Sequence, residues 1–132
     1  MNASGHFDVK LEPQKADNPH AQAANLLRMS IYKQFSGAIE GTSNGEMLAT
    51  RDAQDSGAYV AIEKITGSLL GRRGSFVLRH SGEMSRGVVQ NWLVAVVPDS
   101  GTEQLQGLTG TMKIAVDEGR HSYDFTYTLP EP

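Results

Sequence analysis

The passage Thr111-Met112-Lys113-Ile114-Ala115-Val116-Asp117, then Glu118-Gly119, then Arg120-His121-Ser122-Tyr123-Asp124-Phe125-Thr126-Tyr127-Thr128-Leu129 decides the fold. On its first arm Met112, Ile114 and Val116 alternate with Thr111, Lys113, Ala115 and Asp117. On its second arm His121, Tyr123, Phe125, Tyr127 and Leu129 alternate with Ser122, Asp124, Thr126 and Thr128. A period of two places each set on one face of a β-strand. A two-residue turn at Glu118-Gly119 sets Asp117 opposite Arg120, Val116 opposite His121, Ile114 opposite Tyr123 and Met112 opposite Phe125. The apolar set of one arm then meets the apolar set of the other, and a slip of one residue would mix the faces.

Working outward, the same alternation returns in Phe7-Asp8-Val9-Lys10-Leu11-Glu12 and in Leu27-Arg28-Met29-Ser30-Ile31-Tyr32-Lys33. Asn44-Gly45 is a pair favoured in tight hairpins, and it predicts a turn joining residues 38–43 to 46–51. Gly71-Arg72-Arg73-Gly74 predicts another, joining residues 59–70 to 75–81. Further breaks are expected at Asp55-Ser56-Gly57, Ser81-Gly82-Glu83 and Pro98-Asp99-Ser100-Gly101. Residues 13–25 hold either a short helical turn, capped by Asn18 with Pro19 in its first position, or a long connection over one end of the fold. No helical period is sustained, so the chain reads as all-β, a sandwich or a barrel. Gly37, Gly41 and Gly45, with Gly67, Gly71 and Gly74, recur at spacings that leave one strand face bare, which permits the sharp coiling of a small closed barrel. No G-x-G-x-x-G or Walker spacing precedes a helix, which argues against a phosphate loop.

Composition sets the outer limits. The 132 residues suit one domain, residues 1–132. Lys+Arg 12 against Asp+Glu 15 gives a net charge of -3, no global field for nucleic acid or anionic lipid. Cys 0 removes disulfides, thiolate chemistry and cysteine-bound metals together. The first residues lack the charge and apolar run of a signal peptide, and no apolar run approaches the ~20 residues of a membrane span. The expectation is a cytoplasmic protein without a membrane partner.

Several phrases carry a resemblance: Lys33-Gln34-Phe35-Ser36-Gly37, Tyr59-Val60-Ala61-Ile62-Glu63, the run from Gly67-Ser68-Leu69-Leu70-Gly71 through Phe76-Val77-Leu78 to His80, Pro98-Asp99-Ser100-Gly101-Thr102 with Leu105, Gly107, Leu108 and Gly110, and His121 with Tyr123. Together they resemble a bacterial family, domain of unknown function 3224, related to the allene oxide cyclase barrel. The likeness runs from about Gly5 to Leu129. Its most specific phrase, Ser100-Gly101-Thr102 with Leu105-x-Gly107-Leu108-x-Gly110, also looks like a glycine-rich turn of dirigent proteins and allene oxide cyclases. The resemblance implies an antiparallel up-and-down β-barrel of about eight strands, calycin-like, with an apolar interior. It implies relatives that act on hydrophobic small molecules and are often homo-oligomers. It implies no reaction, because the cyclase's catalytic residues find no matching positions here.

Candidate chemistry falls on the middle hairpin. With a two-residue loop at Arg72-Arg73, Gly71 faces Gly74, Ile65 faces His80, and Glu63 lies diagonal to His80. One face then carries Tyr59, Ala61, Glu63, Ile65, Leu69, Phe76, Leu78 and His80, and its apolar content assigns it inward; a three-residue loop would reverse that parity. A carboxylate buried there must pair or take a proton. His80 is the natural partner, with Tyr59 or Tyr123 as hydroxyl donors. The pair is either a structural tie or an acid–base couple. Tyr59, Phe76, Trp92, Tyr123 and Phe125 are the expected lining of a ligand pocket, if side chains do not fill the lumen. Trp92, Phe125, Tyr127, Met29 and Met112 read as barrel core. Arg72, Arg73, Arg79 and Arg86 form a basic cluster that reads as a solvated turn, with no nucleic-acid partner. His6, His20, His80 and His121 lack metal-ligand spacing, so neither a metal nor another cofactor is expected. Ser75 and Ser100 lack a nucleophile elbow.

Three functions follow: a barrel binding a small apolar or amphipathic molecule with Glu63 and His80 as polar anchors, an isomerase or cyclase using them as an acid–base pair, or a structural homo-oligomer. The run Trp92-Leu93-Val94-Ala95-Val96-Val97 is apolar on both faces, which favours cover by a second copy.

Overall fold

A computed structural model describes residues 1–130. The chain forms β1 (Asn2–Gln14), helix α1 (Pro19–Ala23), β2 (Leu27–Gly37), β3 (Ile39–Arg51), β4 (Gly57–Leu69), β5 (Arg72–Ser85), β6 (Val88–Val96), a 3-10 turn (Glu103–Leu105), β7 (Thr109–Asp117) and β8 (Arg120–Thr128). Each strand is antiparallel to the next, and β1 also pairs with β8, closing an eight-stranded up-and-down barrel. The weakest seam is between β6 and β7, where Ala95 facing Thr111 is the one register pair among the described residues.

The register of β7 and β8 is the one the sequence predicts: Asp117 faces Arg120, Val116 faces His121, Ile114 faces Tyr123 and Met112 faces Phe125. The β1–β2 connection holds the helical turn rather than an irregular crossing. Asn18 caps it, its side-chain oxygen accepting from the Ala21 N–H at 2.8 Å, and Pro19 opens it.

Two hairpin turns lie elsewhere than expected, and the break expected at Ser81-Gly82-Glu83 falls inside β5, the chain reversing at Arg86-Gly87 instead. Asn44-Gly45 is not a hairpin, because β3 runs through it unbroken and the chain reverses earlier, at Gly37 (φ +100). The glycine that read as a turn signal instead permits close approach. A Cβ on Gly45 would meet the Cα and Cβ of Glu63 at 2.7 Å, so this position is bare where Glu63 crosses it.

The β4–β5 turn is Leu70-Gly71 (φ +47 and +85), not Arg72-Arg73. Its two central residues adopt positive φ, which glycine accepts without strain and a pair of arginines does not. The change moves the register by four residues, so Gly67 faces Gly74, Ala61 faces His80 and Glu63 faces Leu78. A shift of an even number preserves the faces. Ala61, Glu63, Ile65, Leu69, Phe76, Leu78 and His80 are all buried in the lumen, and Glu63 remains diagonal to His80.

The two barrel ends differ. At the end carrying the β2–β3 and β4–β5 turns, Ile39, Leu69, Phe76, Phe125 and Tyr127 fill the lumen. Leu105 and Leu108, from the long β6–β7 connection, complete that core. Phe125 stacks on Phe76 at 5.9 Å and on Tyr127 at 5.2 Å between ring centres. The Tyr123 hydroxyl ties this end, accepting from the Ile39 N–H at 2.8 Å and donating to the Ser36 carbonyl at 3.0 Å.

At the opposite end the lumen is open. Leu11, Leu27 and Val116 are exposed there although their strands alternate properly, and Val89 of β6 is exposed beside them. Trp92 belongs to this rim and not to the core, at 43% exposure. The cause is a register shift between Ser81 and Glu83, with Asn91 at φ +53, which breaks the alternation at the start of β6. Beyond that break Val94, Ala95 and Val96 are all buried. Among the described residues no helix is long and apolar enough to cross a membrane.

Candidate functional site

Strand register organises the open half. One cross-strand row runs Leu27, Ala49, Tyr59, Gly82 over β2 to β5. The next row inward runs Met29, Met47, Ala61, His80 and continues to Val94 on β6. Below it lie Ile31, Gly45, Glu63 and Leu78. A cavity of about 290 Å³ occupies the upper rows, lined by Leu27, Met29, Met47, Ala49, Tyr59 and Met84 among others. His80 sits in the same row as two of its lining methionines, at the level of its floor.

Tyr59 shapes the cavity wall. Gly82 faces it across the β4–β5 ladder, and a Cβ there would strike the Tyr59 ring at 2.7 Å. The missing side chain lets the ring lie flat against the strand. Its hydroxyl accepts the Trp92 Nε1–H at 2.7 Å, which pins the tryptophan over the rim. Burial raises the Tyr59 pKa, with a smaller upward push from the Glu63 charge, so the phenol is neutral and its O–H is available as a donor.

Directly beneath the floor lies a buried polar cluster. Glu63 is completely buried. Its Oε1 accepts from the Lys33 Nζ at 2.8 Å and from the His80 Nε2, and its Oε2 accepts from the Ser43 hydroxyl at 2.5 Å. Lys33 and His80 are themselves buried, and the Lys33 ammonium also lies 4.8 Å from the centre of the Phe7 ring. Burial pushes the Glu63 carboxyl upward from its usual 4.5, but the His80 hydrogen bond and the Lys33 charge pull harder and hold it at about 2. Glu63 is therefore an anion at neutral pH, so the His80 Nε2 is the donor in their bond.

The sequence-predicted residues fall into three groups. Glu63 and His80 come together, and Tyr59 lines the cavity; Trp92 does not line it and reaches it only through its hydrogen bond to the Tyr59 hydroxyl. Phe76 and Phe125 do not line it; they pack in the closed end, because the even shift in register left them inward but below the cluster. Tyr123 also lies at the closed end, and its hydroxyl serves backbone groups rather than Glu63.

Sequence reading missed Lys33, Ser43 and the cavity methionines Met47 and Met84. Lys33 was visible as a charge on the apolar face of β2, two residues past Ile31 and two before Phe35. Ser43 has the parity of Ile39 and Met47, but the expected turn at Asn44-Gly45 cut it from them. Among the described residues no group of three His, Asp or Glu converges to hold a metal ion.

A family model described as "Protein of unknown function (DUF3224)" matches residues 3–127. The chain belongs to this family. A crystal structure of a family member of unknown function from Shewanella oneidensis MR-1 is similar at 42% identity, with a TM-score of 0.89 over 99% of this chain and 98% of that one. No curated protein matches.

Proposed function

We propose that the protein binds a small apolar or amphipathic molecule in the open half of its barrel. The observation that carries this reading is the cavity of about 290 Å³ walled by Leu27, Met29, Met47, Ala49, Tyr59 and Met84. That volume lies at the small end of the roughly 300–1,000 Å³ typical of ligand sites, and it suits an occupant of one or two rings. Flexible methionines adapt to varied apolar shapes. The resemblance to barrels that handle hydrophobic small molecules supports the same reading.

The enzyme reading, with Glu63 and His80 as an acid–base couple, is less favoured. Both Glu63 oxygens are engaged, and a carboxyl held at about 2 is too weak a base to exchange protons readily near neutrality. Glu63 serves better as the group that orients its neighbours.

N-phenyl-1-naphthylamine, a neutral probe that fluoresces in apolar surroundings, tests the site. Wild type is expected to bind it saturably. Ala49→Phe, which fills the cavity, is expected to weaken binding at least tenfold while leaving the unfolding midpoint in place. Equal binding by the two proteins, or none by wild type, would overturn the proposal.

A further inference from the structure

The geometry points to an acidic head on the occupant: an apolar weak acid, such as an aromatic carboxylic acid, seated with its acid group on Lys33 and His80. This rests on the proposed binding site and names the chemistry of its ligand.

Hydrogen-bonding capacity in the lumen is unevenly used. Glu63 has both oxygens engaged by three donors, Lys33, His80 and Ser43, so about one of its four lone-pair sites remains open. The opposite side of the cluster is unsaturated. The Lys33 ammonium carries three N–H groups, and among the described residues Glu63 is its one hydrogen-bond acceptor. His80 gives Nε2–H to Glu63, and its Nδ1 bonds to nothing among the described residues.

Yet among the described residues no buried side-chain nitrogen or oxygen is without a partner. Nδ1 therefore keeps contact with open space, in a residue that is only 7% exposed and in the row of the cavity's Met29 and Met47. His121 adds a second imidazole. It projects from β8 into the same lumen, its ring 5.1 Å from that of Phe7, over which the Lys33 ammonium also lies.

One carboxylate thus faces one ammonium and one imidazole in a largely apolar enclosure, and the second imidazole stands beside Phe7 in hydrogen-bond contact with neither of them. An acid group answers this imbalance on both counts. One oxygen accepts from Lys33. The other presents its O–H to the His80 Nδ1, or meets the proton already transferred there. A neutral apolar head would leave buried donors without a new partner, and a cationic head would meet Lys33 as a like charge. Glu63 is then a positioning residue: it fixes the His80 ring and competes with the ligand for the ammonium.

That competition gives a test with an unusual sign. Calorimetric titration compares 2-naphthoate with its neutral isostere 2-naphthamide. Wild type is expected to bind the acid at least tenfold more tightly than the amide. Glu63→Gln frees the ammonium and is expected to tighten the acid about tenfold further, with little change for the amide. Lys33→Met/Glu63→Met replaces both charges with apolar groups, so it does not depend on a fold holding a lone buried charge; it is expected to erase the preference. Amide binding equal to or tighter than acid binding in wild type would overturn the acid head and leave the apolar site standing. A Glu63→Gln protein that binds the acid more weakly would also overturn it. If neither ligand nor the neutral naphthylamine binds, the underlying site falls as well.

Discussion

The two ends of the barrel are built by the same strands under the same alternation, yet one is solid and the other hollow. At the closed end Phe76, Phe125 and Tyr127 stack, and Leu105 and Leu108 of the β6–β7 connection cap the stack. At the open end the inward positions pass to Leu27, Met29, Met47, Ala49 and Met84, with glycine at 82, and they surround the cavity. The polar cluster of Lys33, Ser43, Glu63 and His80 lies at the boundary. Packing density in one half anchors the fold, which leaves the other half free to keep a cavity.

The sharpest way to break this contrast is to open the closed end. Phe125→Ala removes a fully buried ring from the middle of its stack. It is expected to cost about 4 kcal/mol, measured by urea unfolding. A loss below 1 kcal/mol would mean that the stack does not hold the barrel.

The boundary gives the next effect, and its sign follows from the lowered Glu63 pKa. The folded carboxyl sits at about 2 against an ordinary 4.5, so the unfolded chain takes up the proton first as pH falls. The stabilisation is complete above about pH 4.5 and is lost as pH falls towards 2. The difference corresponds to roughly 3 kcal/mol. Stability curves from pH 6 to 2 are expected to fall less steeply in the Lys33→Met/Glu63→Met protein than in wild type; parallel curves would remove Glu63 as the source.

The smallest effect on stability belongs to the open end. Met47→Ala removes a half-buried side chain beside an existing void and is expected to cost about 1 kcal/mol, while changing naphthylamine affinity severalfold. A stability loss as large as that of Phe125→Ala would erase the distinction between the halves.

Much of the fold was legible because alternation and turn chemistry agree. The β7–β8 register follows from Glu118-Gly119 alone. Asn44-Gly45 misled because a glycine serves two purposes, positive φ in a turn and close approach between strands, and composition does not separate them. Glu63 and His80 met despite a wrong turn because the error was even, which preserves the face, and because its four residues carry His80 from one diagonal of Glu63 to the other. Lys33 was the unused clue: a lysine in phase with Ile31 and Phe35 faces a core and requires a counterion there. Which end would be hollow was not legible, because it depends on how the β6–β7 connection folds over the lumen and on the break in alternation at Ser81 and Glu83.

The methionines allow one measurement to read both halves. Met29, Met47 and Met84 line the cavity, whereas Met112 is buried in the core beside Phe125. Carbon-13 spectra of the methionine methyl groups, recorded during titration with N-phenyl-1-naphthylamine, are expected to show saturable shifts at 29, 47 and 84 and none at 112. Shifts absent at all four, or largest at Met112, would contradict a ligand site in the open half.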